Sequence, residues 1–252
     1  MDGSVAILVR VVIAFLLAVA GGVVSAMVGV SHRRLCGLIS LAAGTLLGVT
    51  LFSILPEAAH SMKWWELLVA LASGYAVFYF VSKYVFHVCP ACAASHFDEA
   101  TTHRFGEIAS ALIVALGLHS TLDGLAIAAG HEAHGGTDAT ILLAICVHKV
   151  PEGLALGALL LGAGYRRMTA AFWVAAVEAT TILGGVAGLL WLRQATPFWL
   201  DAVLAHAGGG FVFLATHAVL GEMLKHGKTT VLTNFAVGVA AIAVLNLAVG
   251  HL

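Results

Sequence analysis

Eight apolar runs, each about the 20 residues a helix needs to cross a hydrocarbon core, restrict this chain to a polytopic membrane fold. They lie at 5–30, 35–58, 64–87, 107–130, 139–162, 168–192, 200–222 and 229–251. A segment in lipid must satisfy its own backbone, so each run is expected to be a helix. The expectation is an all-α protein with eight transmembrane helices in a single transmembrane domain, 1–252. Composition agrees: 10% of residues are charged, against about 25% in soluble domains. The 28 glycines suit helices that pack closely through small side chains. Net charge is -1 with no basic patch, which removes nucleic acid as a partner and leaves the lipid bilayer as the surroundings.

Polar breaks separate the runs. Ser31 to Arg34 parts the first two, Pro56-Glu57 with His60 to Lys63 closes the second, and 88–106 is the only long polar loop. The first run follows Asp2 rather than a basic segment and exceeds a signal-peptide core, so it reads as a retained helix. Lys and Arg set the orientation. Odd-numbered loops hold Arg33, Arg34, Lys83, Arg104, Arg166, Arg167, Lys225 and Lys228; even-numbered loops hold Lys63 and Arg193. That asymmetry places the odd loops in the cytoplasm and both termini outside.

Two short stretches in the fourth and fifth runs carry the chemistry. His119-Ser120-Thr121-Leu122-Asp123-Gly124-Leu125-Ala126 and His148-Lys149-Val150-Pro151-Glu152-Gly153-Leu154-Ala155 share one pattern: His, three residues, an acid, then Gly-Leu-Ala. Residues i and i+4 lie on one helical face, so each stretch presents an imidazole and a carboxylate together. Such side chains bind borderline-soft divalent metals, and ionisable groups at this depth usually mark an ion pathway. His119 lies about 18 Å into its helix and His148 about 14 Å into the next, at 1.5 Å per residue. Consecutive helices run antiparallel, so both pairs reach similar depths. Three helices precede this pair and three follow, a 3+2+3 arrangement with inverted-repeat character.

Other residues extend the candidate pathway. Pro151 removes a backbone donor and frees the carbonyl near Val147. Lys149 opposes a cation unless turned away, neutral or paired; pairing with a carboxylate, as a fixed substitute for a second ion, is the favoured reading. Glu178 in the sixth run is a third intramembrane acid whose burial unpaired would be costly. Glu57 and His60 stand at the outer boundary as a candidate entrance; His217 and Glu222 approach the cytoplasmic end as a candidate exit. His131, Glu132 and His134 in the outer link could collect metal. In the cytoplasmic loop, His87, Cys89, Cys92, His96 and His103 lie close in sequence, and a reduced Cys-x-x-Cys followed by His resembles half of a structural zinc site. Asn246 reads as an interhelical hydrogen bond. No phosphate-binding Gly-x-x-x-x-Gly-Lys-Ser/Thr occurs, which argues against ATP-driven pumping, and no His-Glu-x-x-His occurs.

Taken together, these residues resemble the ZIP (Zrt/Irt-like protein) family of divalent metal transporters, of bacterial type. His119-Ser120-x-x-Asp123-Gly124 resembles the family's fourth-helix motif and His148-Lys149-x-Pro151-Glu152-Gly153 its fifth-helix motif; Leu55-Pro56-Glu57-Ala58 and Glu178 also fit. The resemblance covers essentially the whole chain and implies a midway metal site of His119, Asp123, His148, Glu152 and Glu178. Ser120 and Lys149 depart from binuclear members, which implies one ion per site. The resemblance also implies that one helix group moves against another, with helices 2, 4, 5 and 7 around the pathway.

The expected activity is movement of Zn²⁺, with Fe²⁺, Mn²⁺ or Cd²⁺ as alternatives, into the cytoplasm across a bacterial inner membrane. The ion is cargo; no catalytic cofactor is expected, and the protein reads as a transporter rather than an enzyme, with a homodimer left open. Ligands must be deprotonated to bind, so uptake is expected to fall at acidic pH. Two other readings compete: an intramembrane zinc hydrolase using the same residues around an open coordination position, and a metal sensor built on the 88–106 loop.

Overall fold

The computed structural model describes residues 3–28, 32–86, 102–132, 138–223 and 228–250, and these form eight helical rods. They are α1 (Gly3–Val28), α2 (His32–Val49, a π segment Thr50–Ile54, then Leu55–Ser61) and α3 (Trp64–Phe80, then a π turn Val81–Phe86). The rest are α4 (Thr102–Glu132), α5 (Asp138–Gly162), α6 (Arg167–Trp191), α7 (Pro197–Met223) and α8 (Lys228–Gly250). Each expected run falls on one rod. Six of these helices are long and apolar enough to cross a membrane, and the chain is a polytopic membrane protein.

One boundary differs from expectation. The second run, expected over 35–58 with Pro56 in its closing stretch, continues to Ser61 through the π segment. Proline lacks the N–H that would pair with the carbonyl four residues earlier, Phe52. Asn246 of α8 supplies the missing donor: its Nδ2 donates to the Phe52 carbonyl at 2.7 Å, and Ser53 Oγ donates to Asn246 Oδ1 at 3.4 Å. The freed carbonyl thus finds a partner within the protein, as it must in lipid.

Tryptophans mark one membrane boundary. Trp64 and Trp65 begin α3, Trp191 ends α6 and Trp199 lies at the start of α7, all at the same end of the bundle and all exposed. Indole rings favour the interface between acyl chains and water. This is the end at which α1 begins, the one expected to face outside.

Glycine packing joins the rods in four close pairs, which glycine-to-side-chain contacts at Gly22 and Gly185 (α1 with α6) and at Gly208 (α7 with α2) gather into two groups. Gly124 of α4 lies so close to α6 that a Cβ would stand 2.0 Å from the Thr181 carbonyl oxygen, and Gly184 of α6 meets the Thr121 carbonyl in the same way. Gly21 of α1 faces the Val150 carbonyl of α5, while Gly153 of α5 faces the Ala18 carbonyl of α1. Two similar reciprocal pairs join α2 to α8 (Gly44 and Gly238) and α3 to α7 (Gly74 and Gly209). Among the described residues, each of these backbone-to-backbone approaches lies within α1, α4, α5 and α6 or within α2, α3, α7 and α8. The groups meet through larger side chains: Val49 and Ile54 of α2, Ile141 and Ile145 of α5, and Phe211 and Phe213 of α7 share one core cluster.

The final Gly of each repeated stretch thereby gains a physical role. Gly124 and Gly153 let α4 and α5 dock against α6 and α1, while the acid one residue earlier in each stretch faces the partner stretch across the α4–α5 seam.

Candidate metal centre

Midway along the bundle, α4 and α5 bring His119, Asp123, His148 and Glu152 together, one ligand atom from each lying within 4.8 Å of every other. His148 Nε2 is 3.1 Å from Asp123 Oδ2 and 3.9 Å from Glu152 Oε2. His119 Nε2 is 3.5 Å from the same Asp123 oxygen and 4.0 Å from the same Glu152 oxygen. The four side chains expose 5%, 0%, 3% and 7% of their surface, so the cluster is closed to bulk solvent. Two imidazoles and two carboxylates form a donor set suited to a tetrahedral divalent ion.

His148 is oriented from behind. Its Nδ1 donates to the Ala144 carbonyl, one turn earlier, at 3.0 Å, which aims Nε2 at the cluster, where it hydrogen-bonds Asp123 Oδ2 at 3.1 Å. Metal-binding histidines are commonly fixed this way. By contrast, His119 Nδ1 and Asp123 Oδ1 are buried with no hydrogen-bond partner among the described residues. Orphaned polar atoms at such depth are costly, and a site with spare lone pairs has capacity for a ligand.

Lys149 occupies the flank of the cluster. Its side chain is fully buried, and Nζ stands 2.9 Å from Asp123 Oδ2, 2.8 Å from Glu152 Oε2 and 2.9 Å from Glu178 Oε2. It also donates to Ser120 Oγ at 2.7 Å. The sequence favours pairing for this lysine, and the structure pairs it with three carboxylates from three helices. Glu178 reaches the cavity from α6, but its contacts are with Lys149 and with the Ser120 hydroxyl, 3.2 Å away. It lies outside the four-residue group that could hold a metal.

Aromatic rings from the other helix group close the site. Phe211 of α7 presents an edge-on contact to both His119 and His148, at centroid distances of 6.1 and 6.2 Å. Phe78 of α3 approaches His119 at 6.0 Å. Sequence reading missed both. The only pointer was the Gly208-Gly209-Gly210 run before Phe211, which lets α7 come close to α2 and α3.

The remaining candidates are dispersed. Glu57 and His60 lie in the last segment of α2, where the neighbouring Ser61 hydroxyl binds Asp201 of α7. His217 stacks on Phe213 at 3.9 Å, and its Nδ1 donates to the Phe213 carbonyl at 2.9 Å. None of these joins the metal-capable group. His131 faces Asp138 and accepts from Arg10 of α1 at 2.8 Å, and Arg10 also binds Asp138, so a cation already occupies that cluster. His87, Cys89, Cys92, His96 and His134 lie outside the described residues, as do the side chains of His103 and Glu222.

A bundle of apolar helices holding imidazoles and carboxylates at its centre is that of a membrane protein with a candidate divalent-metal site. Residues 90–246, more than half of the chain, match the family described as ZIP Zinc transporter. The chain belongs to that family, whose members are transporters rather than enzymes. It is 28% identical over 121 residues to Zinc transporter zipt-7.1 of Caenorhabditis briggsae, covering 46% of this chain and 30% of the relative. It is 31% identical over 117 residues to Zinc transporter zipt-7.2 of Caenorhabditis elegans, covering 44% of this chain and 24% of the relative. The matches thus span less than a third of each of these relatives' length.

Proposed function

We propose that the protein carries Zn²⁺ into the cytoplasm through a single site formed by His119, Asp123, His148 and Glu152. Convergence of two imidazoles and two carboxylates on one buried point between antiparallel helices carries this reading. Both of these relatives are named zinc transporters, which supports zinc as the cargo; Fe²⁺, Mn²⁺ and Cd²⁺ suit the same donors. The bacterial inner membrane is the proposed location, with Lys- and Arg-bearing loops on the cytoplasmic side.

The site lies between α4 and α5, in the group α1, α4, α5 and α6, where backbone-close glycine contacts fasten α4 to α6 and α5 to α1. Its aromatic cover, Phe78 and Phe211, belongs to the other group. Displacing one group against the other would uncover the ion without dismantling its ligands, the arrangement suited to alternating access.

The test is zinc flux. Purified protein in proteoliposomes should accumulate Zn²⁺ down its gradient at a rate proportional to protein content. Tightly bound stoichiometric zinc without flux, accompanied by lipid or peptide hydrolysis, would instead favour the intramembrane hydrolase.

A further inference from the structure

Lys149 is among the largest fully buried side chains of the described residues, and it lies against two of the oxygens the proposed site needs. Asp123 Oδ2 and Glu152 Oε2 each face both imidazoles, and each also accepts from the ammonium, at 2.9 and 2.8 Å. A zinc ion would approach those oxygens to about 2.0–2.2 Å. Ammonium and metal would then be two cations on one pair of oxygens in a region closed to solvent, where like charges repel strongly. The two cannot share them undisturbed.

The structure also provides a place for the ammonium to remain. Glu178 Oε2 and Ser120 Oγ bind Nζ at 2.9 and 2.7 Å and lie outside the metal-capable group. Four oxygens surround a group with only three hydrogens to donate, so losing the two shared partners still leaves two. Formal charge agrees: three carboxylates less one ammonium leave two negative charges, enough for one divalent ion.

Resting on the transport site proposed above, we infer that Lys149 is a tethered counter-cation that exchanges places with the cargo. In the empty site its ammonium bridges Asp123 and Glu152. An arriving ion displaces it toward Glu178 and Ser120, and its return helps drive the ion out. Glu178 then acts as the holder of the displaced ammonium rather than as a metal ligand.

Zn²⁺ affinity by equilibrium dialysis, together with initial uptake rates, tests this on the full-length protein. Removing the competitor in Lys149→Met should tighten Zn²⁺ binding by about tenfold or more, a typical coupling between linked sites, while turnover falls because release slows. Removing the holder in Glu178→Gln should weaken binding by about the same factor, since the ammonium then stays on the shared carboxylates. In the double variant, binding should return to the tight value of Lys149→Met. Lys149→Gln reads the same effect if the methionine variant does not fold. Equal or weaker binding without Lys149 would overturn the inference. So would a Glu178→Gln loss of the same size in both backgrounds, which would make Glu178 a ligand. Wild-type protein that binds no Zn²⁺ would overturn the transport site and this inference together; wild-type binding with unchanged affinity in both variants would overturn this inference alone.

Discussion

Replacing Asp123 with Ala is expected to cut zinc flux by about a hundredfold or more, beyond the 10–100-fold cost typical of losing even an outer partner of a metal ligand. The expectation rests on how many groups converge on one oxygen. Asp123 Oδ2 lies 3.1 Å from His148, 3.5 Å from His119 and 2.9 Å from Lys149. Its loss would remove a ligand, the hydrogen-bond acceptor of His148 and one of the three negative charges of the centre. Lys149 would keep Glu152 and Glu178, so the ammonium would remain paired and the helices should still assemble. Initial uptake in proteoliposomes, normalised to folded protein by size exclusion, measures the effect. Flux within a few-fold of wild type would remove Asp123 from the pathway.

The second large effect concerns assembly. Gly124→Val would place a Cβ 2.0 Å from the Thr181 carbonyl oxygen and 2.6 Å from the Gly185 nitrogen. Both are backbone atoms, so no side-chain rotation relieves the clash, and α4 would have to separate from α6. Overpacking usually costs about 1–3 kcal/mol, and rigid backbone contacts lie at or above the upper end. The folded fraction in detergent should fall sharply, with loss of thermal stability. Gly117→Ala on the same helix provides the contrast, since its Cβ would meet only Thr180 Cγ2 at 3.9 Å, an ordinary contact. Equal stability of the two variants would contradict the close α4–α6 seam.

These residues also show how far the sequence alone could be read. The apolar runs located all eight helices because lipid imposes a length and an internally bonded backbone on each one. Pairing of His119 with Asp123 and of His148 with Glu152 was legible because helical periodicity fixes neighbours one turn apart. Partners on other helices were not fixed by spacing. Glu178 was expected among the metal ligands, yet its oxygen contacts Lys149 and Ser120. Nothing local distinguishes those alternatives, because the choice depends on how α6 rotates against α4. The reciprocal glycine pairs were hidden for a related reason. A small residue records that something approaches, but which carbonyl approaches is settled by packing. Pro56 shows the same limit: its missing N–H is visible locally, but Asn246, 190 positions later, which supplies a donor to the Phe52 carbonyl, is not.

The proposed site holds one zinc ion between α4 and α5 on nitrogen and oxygen ligands. X-ray absorption at the zinc edge, recorded on purified protein loaded with one equivalent of Zn²⁺, addresses it directly. Only nitrogen and oxygen neighbours at about 2.0–2.2 Å are expected, with imidazole scattering that is diminished in His148→Ala. Sulfur at about 2.3 Å would place the ion on cysteine instead, and a spectrum unchanged by His148→Ala would contradict the site.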